Sequence, residues 1–161
     1  MTRLAVALIA LTWAAVAAAA TPAGQLTWAL HVTIASRFLD PAENDGLITP
    51  YMIQYALHDA LVKPMPGGIN TPSLAESWTV SKDGLAYDFK LRQGITFHNG
   101  APITPEDVRF SFERYRGSGA KILHDRVARV ETVDARQVRF RLKEPWPDFM
   151  TFYGTTATGA G

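Results

Sequence analysis

The chain has 161 residues, with 16 Lys and Arg against 15 Asp and Glu, four His, no Cys and a formal net charge of +1. A balance so close to neutral argues against nucleic acid as the partner, because phosphate binding needs a clustered excess of basic side chains. The lack of cysteine rules out a disulfide framework and a lipid-modified cysteine behind an export signal.

Residues 1–20 carry one positive charge at Arg3, an apolar run over 4–16 and alanines through Ala20. That is the three-part pattern of a secretory signal, with cleavage expected after Ala20. The apolar run is shorter than the roughly 20 strongly apolar residues that a membrane-spanning helix needs. Cleavage would remove Arg3 and no acid, so the mature chain is formally neutral, and its length suffices for one core of ordinary size. Leu26, Trp28, Leu30 and Val32 then alternate with Thr27, Ala29 and His31, which predicts a first strand over 26–32. Residues 35–46 read as a loop, with Asp40-Pro41 and Asp45-Gly46 turn signals around a Phe38-Leu39 pair. Leu47, Tyr51, Tyr55, Leu61 and Val62 follow a helical stripe. It is expected to end before Pro64-Met65-Pro66-Gly67-Gly68, read as a loop and a subdomain boundary.

The stretch 72–114 is the most informative. Leu85, Tyr87, Phe89 and Leu91 alternate with Ala86, Asp88 and Lys90, the period of two of a half-buried strand. Trp78-Thr79-Val80 reads as its partner, and Ser81-Lys82-Asp83-Gly84 supplies Asp-Gly turn chemistry, so a β-hairpin is predicted, with Trp78 in its core. Burying four apolar side chains contributes roughly 6 to 12 kcal/mol, while fixing the backbone of some seven residues costs about as much. Such a hairpin must therefore pack on more chain. Thr104-Pro105-Glu106-Asp107 offers it: a hydroxyl at the N-cap, proline at the first helical position and two carboxylates in the first turn. Val108, Phe112 and Tyr115 then give one apolar helical stripe.

Beyond Tyr115, Gly117-Ser118-Gly119 breaks the chain. Residues 127–133 and 137–142 predict a second hairpin around Asp134-Ala135-Arg136, with Val138, Phe140 and Leu142 buried. Pro145-Trp146-Pro147 ends it, and Asp148 is expected to cap a short helix through Phe149, Phe152 and Tyr153. The tail after Gly154 has no apolar pattern.

No catalytic constellation stands out. His31, His58, His98 and His124 show no i, i+3 or i+4 pair and no thiolate accompanies them, so no preformed metal site is read. His98, beside Asn99-Gly100, reads as a turn residue. Gly117-Ser118-Gly119-Ala120-Lys121 lacks the spacing of a phosphate-cradling loop and reads as a linker. Glu106 and Asp107 are explained by helix capping rather than acid–base chemistry. No nucleophile motif such as G-x-S-x-G or H-E-x-x-H is present. Arg126, Arg129, Arg136, Arg139 and Arg141 form an apparent basic cluster. They alternate with Val127, Val130, Val138, Phe140 and Leu142, and so read as the solvated face of a sheet rather than an anion site.

The run from Ala75 through Asp83-Gly84, Tyr87, Phe89, Leu91 and Arg92, then Phe97-His98-Asn99-Gly100 and Thr104-Pro105-Glu106-Asp107-Val108, resembles the family 5 extracellular solute-binding proteins of ABC importers. The likeness extends more loosely over 26–153. Members include dipeptide, oligopeptide and nickel binders and are several times longer. The resemblance implies an α+β chain with part of a type II, two-lobe periplasmic-binding-protein fold: the first strand of the main lobe and, over about 45–150, an inserted β-rich subdomain with packed helices. A second lobe would lie beyond Gly161. It also implies a monomeric, non-enzymatic periplasmic protein without a cofactor, which captures a small solute, short peptides first, for a membrane ABC permease. By the same resemblance, ligand contacts are expected after the first strand, at His31, Thr33, Ile34, Ala35, Ser36 and Arg37, and at the return to the main lobe, at Tyr153 and Gly154. A nickel-chelate, sugar or opine binder of the same family stays open. So do a secreted interaction module and part of a periplasmic hydrolase.

Overall fold

A computed structural model of the chain describes residues 48–154 throughout, together with Gly24, Gln25, Thr27, Ala29, Thr33, Ile34, residues 36–44 and Gly46. The chain divides into two compact units, Met1–His31 and Val32–Gly161. The expected export signal lies outside the described residues, as do Leu26, Trp28, Leu30, His31 and Val32 of the expected first strand. All that follows concerns the second unit.

Its centre is a four-stranded antiparallel sheet of β3 (Ala75–Val80), β4 (Ala86–Leu91), β5 (Val127–Asp134) and β6 (Gln137–Leu142), in spatial order β3-β4-β6-β5. Both predicted hairpins are present. In the first, Val80 pairs with Tyr87 and Ala75 with Leu91. Its turn is closed by Asp83, whose carboxylate accepts from the Ser81 hydroxyl at 2.5 Å and from the Leu85 N–H at 3.0 Å. Gly84 sits there at φ +69°, a conformation that glycine adopts without steric cost. Tyr87, Phe89 and Leu91 are buried as the alternation requires, while Leu85 is only half-buried and Ala86 is buried instead. Trp78 is also half-buried, its ring 6.5 Å from that of Phe89.

The two hairpins join through β4 and β6, where Tyr87 faces Phe140 and Phe89 faces Val138. The long connection from β4 to β5 holds α2 (Pro105–Arg114) and α3 (Ala120–Arg126). α2 starts as expected: the Asp107 carboxylate accepts from both the backbone N–H and the hydroxyl of Thr104, each at 2.8 Å. Its buried residues Val108 and Phe112, with Tyr115 just beyond, cover β5 and β6. Phe112 stands edge-on to Phe140 at 5.4 Å. α4 (Phe149–Tyr153) lies on the same face, with Phe149 stacked on Tyr153 at 5.2 Å and Tyr153 4.8 Å from Phe140. Asp148 precedes α4 without the expected side-chain cap; its backbone carbonyl accepts from Phe152 instead.

Three further expectations need correction. The helical stripe does not reach Val62: a π-helical turn, Pro50–Gln54, runs into a short α1 (Tyr55–Leu57), after which the chain becomes extended. The Pro/Gly segment expected to be a loop belongs to a separate two-stranded sheet, β1 (Val62–Met65) with β2 (Gly68–Pro72). Pro64 is tolerated in β1 because it falls where the register shifts between Lys63 and Met65, so no ladder hydrogen bond is sacrificed. The third concerns Ala120 and Lys121, which open α3 rather than ending a linker. Only Leu123 of that helix is buried, too few residues for a periodic signal.

Candidate functional site

A half-open cleft of about 540 Å³ lies between the loop at 40–42, the chain from α1 to β1, the turn at 96–98 and the outer side of α2. This size falls within the range of roughly 300–1,000 Å³ typical of small-molecule sites. Helical periodicity directs Asp107, Phe110, Ser111 and Arg114 of α2 toward it, on a different side from buried Phe112. The turn is held by a 2.9 Å hydrogen bond from Gly100 N–H to Phe97 carbonyl and by Asn99, whose side chain accepts from Ala101 N–H at 3.0 Å. It carries Phe97 and His98 to the rim. Leu61, Leu74 and Tyr153 line the cleft from the core side.

Its charged lining groups are paired among themselves. Arg114 donates to Asp40 at 3.1 Å and lies 3.8 Å from Glu43. Lys63 donates to the carbonyls of Tyr55 and His58 at 2.9 and 3.0 Å and pairs with Asp59 at 3.1 Å, closing the C-terminal end of α1. Asp107 is taken up by Thr104, and His58 Nε2 lies 2.9 Å from the Leu39 carbonyl. Tyr153 differs. It is 2% exposed, and burial alone pushes its phenol far above the usual tyrosine range. Among the described residues, no group of three or more His, Cys, Asp or Glu side chains is placed to hold a metal ion.

The structure separates the residues expected to touch ligand. His31 and Ala35 lie outside the described residues. Thr33, Ser36 and Arg37 are exposed and Ile34 is half-buried, and none of these four lines the cleft. Ser36 and Arg37 sit in a turn, with Arg37 bound to Glu43 at 2.9 Å. Gly154 is enclosed by the β1–β2 hairpin: a Cβ there would come within 2.7 Å of Asn70 Oδ1 and 2.9 Å of Val62 Cγ2. Among the described residues of the expected set, Tyr153 alone lines the cleft. Sequence reading did not single out Leu57, Phe97, Phe110 and Ser111 as lining residues, although the three apolar side chains are large and stand off the core-facing stripes. The five arginines of the apparent basic cluster are all matched by acids. Arg126 pairs with Glu144, Arg129 and Arg141 with Glu131, Arg136 with Glu76 and Arg139 with Asp88.

The sequence model for the bacterial extracellular solute-binding proteins, family 5, middle region, matches residues 71–160. The chain belongs to this family. Among curated relatives, the di/tripeptide-binding protein 2 of Pseudomonas aeruginosa is 36% identical over 156 residues, covering 83% of this chain and 29% of the relative. The glutathione-binding protein GsiB of Escherichia coli K12 is 34% identical over 89 residues, covering 53% of this chain and 17% of the relative. Among solved structures, AgaA from A. tumefaciens R10, in complex with agropinic acid, superposes with a TM-score of 0.65 at 28% identity, covering 74% of this chain and 25% of that protein. The family 5 chain described here therefore spans less than a third of the length of these relatives. Its mixed α/β architecture with antiparallel sheets is part of the periplasmic-binding-protein fold. No helix among the described residues is long and apolar enough to cross a membrane.

Proposed function

We propose that the chain contributes to the solute-capturing component of an ABC importer, working in the periplasm after removal of the leader at 1–20, with short peptides as its solute. The observation that carries this reading is the 36% identity to a di/tripeptide-binding protein over 83% of the chain. The cleft supports it chemically. A pocket with apolar walls, a buried phenol and charges already neutralised is suited to holding a small organic molecule. In this reading two lobes close about a hinge on the solute, the present cleft supplies one wall, and the closed monomer presents its cargo to a membrane permease. Thr33, Ile34, Ser36 and Arg37, exposed or half-buried on the same unit, would meet the solute only from outside the cleft.

Deletion of the gene tests the proposal. Uptake of labelled di- and tripeptides is expected to fall, while uptake of agropinic acid and of a nickel–histidine complex stays unchanged. Unchanged peptide uptake, or a loss confined to either of the other two solutes, would overturn the peptide assignment.

A further inference from the structure

We propose that Met65, at the tip of the β1–β2 hairpin, is a site of reversible oxidation by peroxides. With no cysteine in the chain, its four methionine thioethers are the only sulfur that a two-electron oxidant can attack. Met1 lies outside the described residues. Met52 and Met150 are half-buried, and Met150 packs against the aromatic core. Met65, by contrast, is 48% exposed and pairs with Gly68 across the turn at Pro66-Gly67. That turn is open: a Cβ at Gly67 would meet no atom within 4 Å, so a peroxide can approach the sulfur from solvent.

A second observation sets Met65 apart from an ordinary surface methionine. The Tyr55 hydroxyl stands 3.1 Å from its Sδ and donates to the Pro64 carbonyl at 2.6 Å. One proton cannot fully serve both acceptors, and the carbonyl is the stronger, so the sulfur keeps a lone pair for attack. That lone pair forms an S–O bond to one oxygen of hydrogen peroxide while the O–O bond breaks. The second oxygen takes the proton of the first and leaves as water; sulfur gives up two electrons and the peroxide gains them. The oxygen growing on sulfur is a strong acceptor within reach of Tyr55 Oη, whose proton can turn to it from Pro64 and stabilise the charge that develops there. Lys63 Nζ, 4.4 Å from the centre of the Tyr55 ring, holds that ring in place. Oxidation thus exchanges the Tyr55–Pro64 bond for a Tyr55–sulfoxide bond where α1 hands over to β1. A methionine sulfoxide reductase reverses the step, removing the oxygen as water with two electrons from a dithiol.

The test treats the full chain with hydrogen peroxide and follows each sulfoxide by site-resolved mass spectrometry. Met65 is expected to oxidise first, several-fold faster than Met52 and Met150. Tyr55→Phe removes only the hydroxyl and should slow Met65 by roughly threefold to tenfold, the worth of one hydrogen bond, while Met52 and Met150 keep their rates. Those two rates also report on folding, because a variant that unfolds would expose both methionines and speed them up. A second measurement needs no variant. In the oxidised wild-type chain, amide NMR shifts should concentrate at Tyr55, Lys63 and Met65, and a methionine sulfoxide reductase with dithiothreitol should return them to their starting values. Earlier oxidation of Met52 or Met150 would overturn the assignment. So would a Met65 rate that Tyr55→Phe leaves unchanged or raises with Met52 and Met150 unaltered, shifts that map away from Tyr55 and Met65, or a sulfoxide that the reductase cannot remove.

Discussion

The two faces of the four-stranded sheet are made by the same strands and are held together by opposite means. On the inner face, Tyr87, Phe89, Val138 and Phe140 meet α2 and α4 in an aromatic cluster in which Phe89, Phe140 and Phe149 are fully buried. On the outer face, Thr79, Asp88, Arg139 and Glu131 lie side by side across β3, β4, β6 and β5, and charges face charges. Arg139 grips Asp88 with two bonds of 2.6 and 3.0 Å, and Glu131 receives both Arg129 and Arg141. Those arginines hold the Glu131 carboxyl below the usual range, Arg129 most strongly. The difference teaches that stability resides on the covered face, where area is removed from water. The open face mainly keeps the strands in register, because a one-residue slip would turn Asp88, Arg139 and Glu131 toward the apolar inner face.

The inner face should be the easier to break. Phe140 touches Phe89, Phe112, Phe149 and Tyr153, so Phe140→Ala removes the common neighbour of four rings. A loss of about 3–5 kcal/mol is expected from the denaturation midpoint, enough to unfold a marginal unit. A loss below about 1 kcal/mol would mean that the cluster does not carry the fold.

The inner face is also what the sequence made legible. Val138, Phe140 and Leu142 stood out because a strand with one covered face must alternate, and α2 stood out because Thr104, Pro105 and Asp107 each answer a defined need of a helix start. The β1–β2 hairpin was hidden: its strands are short, two edges leave Pro64 harmless, and its burial pattern has no period of two. α3 was hidden for a similar reason, with a single buried residue. The cleft was the least legible part, since it is assembled from four separate segments whose apolar members, Leu57, Phe97 and Phe110, look like ordinary surface residues until the fold sets them around one space. Tyr153, expected from the family resemblance, lines the cleft, whereas Arg37 in the turn at 36–37 pairs with Glu43.

A smaller effect is expected where the covering helix begins. Asp107→Ala removes the acceptor of two hydrogen bonds from Thr104 and a negative charge from the first turn of α2. A cap of this kind is worth about 0.5–2 kcal/mol, and the loss should be partly recovered by Asp107→Asn, which retains an acceptor but not the charge. Because α2 also carries Phe110 and Ser111 to the cleft, the same variant should broaden their amide signals. Broadening without destabilisation would locate the effect in the site rather than in the cap.

The outer face should yield the least. Asp88 and Arg139 are 19% and 28% exposed, directly opposed across β4 and β6, and joined in a two-bond geometry that favours Arg over Lys. Partial exposure nonetheless screens the pair, so a double-mutant cycle of Asp88→Asn and Arg139→Gln should report a coupling of about 0.2–1 kcal/mol, near the upper end because the geometry is good. Added salt should reduce that coupling while leaving the Phe140→Ala loss unchanged, since ions screen charges and not buried rings. A coupling as large as the Phe140 effect would reverse the assignment of roles to the two faces. A coupling of zero would mean that Glu131, reached by Arg129 and Arg141, keeps the register without help from Asp88.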